Sequence, residues 1–234
     1  MLTLLSMLIC VVGAVQREAL AQDSSTRNEL WPEVDVYINF KPKLRLYLLG
    51  TVSKSVEDGE ILKGDAFEAQ VGVHLDYMLN KYVTLRTGYR YGTSLGSDDD
   101  FKEHRLITEQ TLHKSLPWQL QLSDRNREDF RFINGEFSFR YRNRVMLEKE
   151  LELIGKRSVR PYVFGEGFYD TRYDVWNKTR YGGGVQVGLK PGPFMKLRLP
   201  EHQTVLDIYY MRQHDTRSST PRVNGFGVVL AFYF

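Results

Sequence analysis

The chain contains five histidines and one cysteine, the residue types on which nucleophilic catalysis and metal binding most often depend. A serine nucleophile requires a histidine within hydrogen-bonding reach and a third group that orients the imidazole ring. His113 and Ser115 are separated by one residue, but the Leu-Pro that follows them indicates a turn. His214 precedes Ser218 and Ser219 in a polar loop, without that close spacing. These are weak candidates, and histidines that fill space or lie at a surface are the simpler interpretation.

The sequence offers no convincing metal or cofactor site. The other histidines have no neighbouring serine and no carboxylate at a metal-ligand spacing; they are His74, His104 and His202. Asp98-Asp99-Asp100 could attract a divalent cation, but acidic loops of this kind are common. Gly182-Gly183-Gly184 lies in an alternating segment with no helix after it, so it does not form a phosphate-binding loop. We therefore expect neither a metal nor a cofactor.

Apolar and polar residues alternate from Trp31 onward, and this pattern predicts the strands that must position the reactive side chains. In the clearest segment, Phe67 to Leu79, every second residue is apolar, and Glu68 and Asp76 lie between them. Several segments exceed the roughly 5–6 residues of common soluble strands and approach the ~9–11 that cross a bilayer. Eleven segments show the pattern: Val34–Phe40, Leu44–Ser53, Phe67–Leu79, Val83–Tyr91, Phe101–Leu112, Trp118–Phe132, Glu136–Leu151, Arg160–Asp170, Thr179–Leu189, Thr204–Gln213 and Val223–Phe234.

The last segment has the pattern typical of the closing strand of a bacterial outer-membrane barrel. Counting back from Phe234, every second residue is apolar, including Phe232 and Leu230, and the residues between are small or amphipathic. Because successive side chains of a strand point to opposite faces, one face of this strand is apolar throughout. We expect Leu230, Phe232 and Phe234 to form the signal that the barrel-assembly machinery reads by strand pairing.

The N-terminus predicts an exported protein. An apolar run, Leu2 to Val15, precedes Ala19-x-Ala21, the small-residue spacing of a signal-peptidase site, so we assign residues 1–21 to a cleaved signal peptide. The segment lacks a basic residue after Met1, which leaves the true start codon open, and a buried N-terminal helix is the alternative. Cys10 lies within the segment, so the mature chain would contain no cysteine. Residues 22–30 are predicted to be a polar leader and residues 31–234 a single barrel domain.

Alternation alone does not distinguish a soluble barrel, which is apolar inside, from a membrane barrel, which is apolar outside. The signal peptide, the terminal phenylalanine and an alternation of short and long connections favour the membrane barrel. Lys41-Pro42-Lys43 is an example of a short connection, and residues 92–100 form a long one. The predicted fold is an all-β, transmembrane, antiparallel up-and-down barrel of 12 strands, with 10 as the alternative, because bacterial barrels usually have an even strand number.

Location and partners follow from this fold. We expect the protein to lie in the bacterial outer membrane, with outer-membrane lipids around the barrel. The mean hydropathy of -0.39 argues against a helical membrane protein, which needs ~18 consecutive apolar residues. The 32 basic and 29 acidic residues are interleaved and give a net charge of only +3, so no nucleic-acid partner is expected. The oligomeric state stays open.

If the polar face lines the lumen, basic and acidic side chains alternate there and can form a cross-strand ionic ladder. This network can fill and stiffen a narrow lumen, or it can guide anions and small polar solutes. The low net charge favours the first interpretation. The predicted members are Arg86, Arg90, Arg105, Arg125, Arg127, Arg140, Arg142, Arg144, Arg180, Glu68, Glu109, Glu148, Glu166 and Asp207, with Arg45, Asp76 and Asp129 in the same register.

Four motifs resemble a family of bacterial outer-membrane barrels called domain of unknown function 2490. They are Arg125–Asp129, Phe139–Arg144, Arg160–Val163 with Glu166–Phe168, and Leu206–Tyr210. The resemblance covers roughly Trp31 to Phe234 and implies the barrel fold and the outer-membrane location, but no activity. Glu128 departs from the pattern, because an apolar residue is expected in its lipid-facing register.

The expected function is a structural or narrow porin-like role for a barrel with an arginine-lined polar lumen. An outer-membrane lipid-modifying enzyme of the phospholipase or deacylase type is the alternative, since small outer-membrane barrels include such enzymes. His113 and Ser115 match the His-x-Ser spacing of the outer-membrane phospholipase, but Leu116-Pro117 stands where that enzyme family has Asn-Gly. The sequence therefore leans away from an enzyme.

Overall fold

A computed structural model describes residues 26–56, 64–96, 101–153, 157–189, 203–218 and 222–234. These residues form strands and turns, in keeping with their β-branched and aromatic alternation. Within the described residues no helix is long and apolar enough to cross a membrane. The predicted signal peptide lies outside the described residues. The strands are β1 (Thr26–Lys41), β2 (Leu44–Ser55), β3 (Ala66–Asn80), β4 (Val83–Ser94), β5 (Lys102–Leu116), β6 (Leu120–Ile133), β7 (Glu136–Lys149), β8 (Leu151–Leu153), β9 (Arg157–Asp170), β10 (Val175–Leu189), β11 (Gln203–Asp215) and β12 (Arg222–Tyr233).

In the described residues, eleven long strands form a closed barrel. Each pairs antiparallel with its neighbours, except that β1 and β12 pair in parallel, from Thr26 opposite Arg222 to Tyr37 opposite Tyr233. The three-residue β8 pairs only with β9 and follows directly after the end of β7, so it is not a separate wall of the barrel. The prediction of 12 strands, or of 10, is therefore wrong. It assumed antiparallel closure, whereas an odd number of strands makes the first and last run in the same direction.

The parallel pair is the seam of the barrel. β1 begins at Thr26 and contains 16 residues, so residues 26–30, which the sequence placed in a leader, belong to the first strand. At its other end the seam includes Phe234, whose N–H donates to the Tyr37 carbonyl at 2.8 Å and whose carbonyl accepts from the Asn39 N–H at 2.9 Å. Leu230 and Phe232 lie opposite Val34 and Val36 of β1. The predicted assembly residues are thus on the strand that closes the barrel.

The wall has an apolar outer face and a polar inner face. Apolar side chains are exposed along nearly every strand, among them Val34, Val71, Val73, Leu85, Leu106, Phe137, Val145, Val163, Tyr181, Ile208 and Phe226. Charged side chains are buried on the opposite face, among them Asp76, Glu103, Arg105, Arg127, Asp129, Arg131, Arg142, Glu166 and Asp170. This is the inverse of a water-soluble barrel, whose inner face holds the apolar core.

Short turns occur at both ends of the barrel. Pro42-Lys43 and Lys81-Tyr82 lie at the end that holds Phe234, which we call the Phe234 end. Asn134-Gly135 connects β6 to β7 at the opposite end, the Thr26 end. Both of its residues have positive φ, 50° and 90°, which is the geometry that two-residue hairpins favour. The expected rule of short turns at one end and long loops at the other therefore holds only in part.

Candidate functional site

The inner face is the candidate site, because it gathers the ionisable side chains of most strands. Asp76 of β3 shows how the wall arranges them. It lies opposite Arg45 of β2 and Arg86 of β4, and it binds Arg45 Nη2 at 2.7 Å and Arg86 Nε at 2.6 Å. The Asp76 side chain is 4% exposed, so one buried carboxylate connects three adjacent strands.

Among the described carboxylates, Glu166 of β9 has the most ion pairs. It binds Arg125 at 3.0 Å, Arg142 at 2.8 Å and Arg144 at 2.9 Å, and its side chain has no exposed surface. Arg125 also approaches Glu109 of β5 at 3.9 Å. Three guanidinium groups around one carboxylate place excess positive charge here, and Glu109 offsets part of it.

A third part of the network approaches the Thr26 end. Asp129, fully buried, binds Arg127 at 2.7 Å and Arg140 at 2.8 Å. Glu103 pairs with Arg105 at 2.5 Å and also with Arg131. Asp170, in turn, binds Arg131 at 3.1 Å and Arg172 at 2.8 Å, so the pairs continue from strand to strand around the barrel.

Aromatic rings fill space between the ion pairs. The ring of Phe168 lies 4.6 Å from the Arg142 guanidinium carbon and 5.0 Å from that of Arg180. Near the seam, Tyr37 stacks between Tyr47 and Tyr233, with ring centroids 4.6 Å apart on each side. Cations held over ring faces and stacked rings both restrict side-chain movement. The interior is therefore a packed polar core.

Most of the predicted ladder residues meet in this network, and some have other partners. Arg180 donates to Gln213 at 2.8 Å, and Asp207 accepts from Tyr162 at 2.9 Å and from Gln186 at 3.1 Å. Arg90 approaches Gln70, which itself donates to Glu68 at 2.6 Å. Glu148 lies at the Phe234 end. The members that form ion pairs are Arg86, Arg105, Arg125, Arg127, Arg140, Arg142, Arg144, Glu109 and Glu166, together with Arg45, Asp76 and Asp129.

The predicted ladder omitted several paired residues. Glu103, Arg131 and Asp170 form the chain of pairs nearest the Thr26 end. Glu103 is two residues from Arg105 on β5, and Arg131 is two residues from Asp129 on β6, so each pair shares a face of its strand. Asp170 likewise shares the inner face of β9 with Glu166. The alternation could therefore have identified all three. Lys178 and Asp215, paired at 3.0 Å, come together only because β10 pairs with β11.

A cavity of about 710 Å³ opens at the Phe234 end. Its lining includes Ser115, Gln121, Glu148, Glu150 and Arg160. Hydrogen bonds from Arg160 and Ser158, each 3.1 Å long, lower the pKa of Glu150. Most of the lining side chains are polar, so the cavity can hold water at this end of the barrel.

The histidines do not form a catalytic group in the described part of the chain. His113 points inward, with ring nitrogens 3.4 Å from Thr84 Oγ1 and 3.4 Å from Gln121 Nε2. His74 is buried and stacks on Tyr47 at 5.2 Å, and the His104 ring lies 2.6 Å from the Tyr89 hydroxyl. His214 pairs across the sheet with Arg222, and His202 lies outside the described residues. Among these residues no group of histidine, cysteine and carboxylate side chains could hold a metal.

Comparisons with known proteins support the resemblance in the sequence. No curated protein and no solved structure matches the chain. One family model does match, and it covers residues 28–224, which include nearly all of the barrel. The chain therefore belongs to the family described as "Protein of unknown function (DUF2490)".

Proposed function

We propose that this chain is an integral β-barrel of the bacterial outer membrane, exported with a cleaved signal peptide. The observation that carries the proposal is the inverted wall, with apolar side chains exposed outside and charged side chains buried inside. Exposing this apolar surface to water is unfavourable by about 25 cal/mol per Å². Lipid removes that cost, and a closed barrel leaves no unpaired strand edge in the hydrocarbon.

Within the membrane, we propose a structural role with at most a narrow polar pathway. Eleven strands fall between small barrels of about 8 strands, whose side chains fill the interior, and porins of about 16, which leave an aqueous channel. Here arginines, carboxylates and aromatic rings occupy the interior. Because most arginines are paired with carboxylates, the lumen also carries little free positive charge to attract anions.

Location and conduction need separate experiments. A membrane barrel should partition with outer membranes, require detergent and migrate faster on a gel before heating than after. Folding of the mature chain as a soluble protein in plain buffer would contradict the proposal. In planar bilayers, the purified protein should show small conductance or none. Large, stable, water-filled channels would refute the structural role while leaving the location intact.

The lipid-modifying enzyme has no support from the described residues. His113 contacts Thr84 and Gln121 in place of a serine, and it lies towards the Phe234 end. Incubation of the refolded protein with phospholipid in mixed micelles should release no fatty acid. Hydrolysis abolished by His113→Ala would reverse this assignment.

A further inference from the structure

The outer face carries a group of polar side chains halfway along three consecutive strands. We call this group the outer polar band; it consists of Thr108, Gln110, Asp124, Asn126, Glu128, Tyr141 and Asn143. On β6 the band is flanked by apolar residues on both sides, Leu122 towards the Phe234 end and Phe130 towards the Thr26 end. Glu128, which departs from the expected lipid-facing pattern, is one of its exposed members.

The band is continuous across the strands. Asn126 lies opposite Gln110 on β5 and opposite Asn143 on β7. Asn143 donates to Asp124 at 2.6 Å and to Asn126 at 3.0 Å, and Tyr141 also donates to Asn126. On β5, Thr108 donates to Glu128 at 2.8 Å. These side chains form two neighbouring hydrogen-bonded groups, with Gln110 beside them, near the middle of the three strands.

In a membrane the middle of a spanning strand lies within the hydrocarbon, where polar and charged side chains are costly. The internal hydrogen bonds satisfy only part of the band. Each carboxylate oxygen can accept more than one hydrogen bond, and the amide groups of Gln110 and Asn126 can donate further ones. A lipid tail offers no partner for these groups, so their position indicates contact with another polypeptide.

The adjacent surface of β9 permits close approach. Gly165 and Gly167 point outward; the ring of Trp176 covers Gly167, which lies opposite Asn143, and Gly165 stays open. A Cβ atom added at Gly165 would meet no atom within 4 Å, so the glycine leaves a shallow depression beside the band. Small residues of this kind allow protein surfaces to pack closely within membranes.

We propose that the outer polar band is the interface of a homodimer in the membrane, an inference that rests on the outer-membrane location proposed above. Two inserted copies have the same orientation, so their twofold axis runs along the membrane normal and equal depths meet. The band of one copy therefore faces the band of the other. The amides of Gln110 and Asn126 can then donate to Asp124 and Glu128 of the second copy. The side chains that project from β5 and β6 of one copy face the depression on β9 of the other.

Cysteine cross-linking tests this interface directly, because Cys10, within the predicted signal peptide, is the sole cysteine. Asn126→Cys places a thiol at the centre of the band, near the expected axis. Oxidation of isolated outer membranes with copper phenanthroline should give a disulfide-linked dimer. Val73→Cys and Ile208→Cys, on exposed outer positions midway along β3 and β11, are matched controls and should stay monomeric.

A second variant removes the reason for association and leaves the barrel intact. Asp124, Asn126 and Glu128 changed together to leucine should convert the detergent-solubilised dimer to a monomer by light scattering, with heat-modifiable migration retained. Monomers of the unsubstituted protein, or cross-linking of Asn126→Cys to a different protein, would overturn the homodimer. If the protein instead fractionates as soluble, the membrane location itself fails, so the two failures are distinguishable.

Discussion

Two regions of the barrel interior are held together by different chemistry. Strands β2 to β9 carry the ionic network centred on Asp76, Asp129 and Glu166, whereas tyrosines and glycines pack much of the seam formed by β11, β12 and β1. In the ionic region most strands follow one another through turns, which fix the register and place arginine beside carboxylate. No turn joins β1 to β12, so backbone hydrogen bonds and packed rings must set the register there.

Loss of Phe234 should have the largest effect, because Phe234 lies at the seam and is expected to act before the barrel has closed. Deletion removes the hydrogen bonds to Tyr37 and Asn39 and the terminal ring expected to guide assembly. We expect a severe loss of assembled protein in outer membranes, measured by the heat-modifiable gel band, with unfolded material in the periplasm. Phe226→Leu, on the same strand and face, is the control. Normal assembly without Phe234 would show that closure does not depend on it.

Glu166→Gln tests the ionic region. The substitution keeps the shape of the side chain but leaves the buried Arg142 and the half-buried Arg125 and Arg144 without their common carboxylate. We expect a loss of about 3–5 kcal/mol in the free energy of unfolding in detergent, the range for breaking a buried ion pair. The control is Glu150→Gln, which breaks an exposed pair with Arg160 and should cost about 1 kcal/mol or less. Equal losses in the two variants would mean that the network does not stabilise the barrel.

Gly227→Val tests how tightly the seam is packed. A side chain at Gly227 would collide with the ring of Tyr209 on β11, so the ring or the strand must move. We expect a loss of about 1–3 kcal/mol, typical of overpacking, measured by urea unfolding in micelles. Gly50→Ala on β2, whose added atom meets open space, should change stability little. A neutral Gly227→Val would indicate a seam looser than the ionic region.

An effect similar to that of Gly227→Val is expected at the tyrosine stack. Tyr37→Leu keeps an apolar side chain but removes two ring contacts, each worth about 0.5–1.5 kcal/mol. The thermal midpoint in detergent should fall modestly, whereas Tyr82→Leu, at an exposed turn, should leave it unchanged. If Tyr37→Leu and Glu166→Gln lower the free energy of unfolding equally, ring stacking stabilises the interior as much as ion pairing does.

The alternation in the sequence predicted the two faces of the wall well. In β3 it separated Glu68, His74 and Asp76 from the exposed valines, because the strand period of two is a local property. The strand number was wrong because closure is not local: nothing within β1 reveals that its partner is the last strand. The start of β1 was missed for a related reason. In the sequence, Glu29 resembles a polar leader residue. In the structure it is buried on the barrel wall and accepts a hydrogen bond from Trp31 at 2.8 Å.

The parallel seam has a topological consequence. Eleven crossings leave Thr26 and Phe234 at opposite ends of the barrel, so in a membrane the two ends of the described chain face different compartments. With Phe234 on the periplasmic side, Thr26 reaches the cell surface, and a short epitope inserted just before it would be accessible to antibodies on intact cells. In a membrane, an odd-stranded barrel would thus hold the start of its first strand and the end of its last strand on opposite sides.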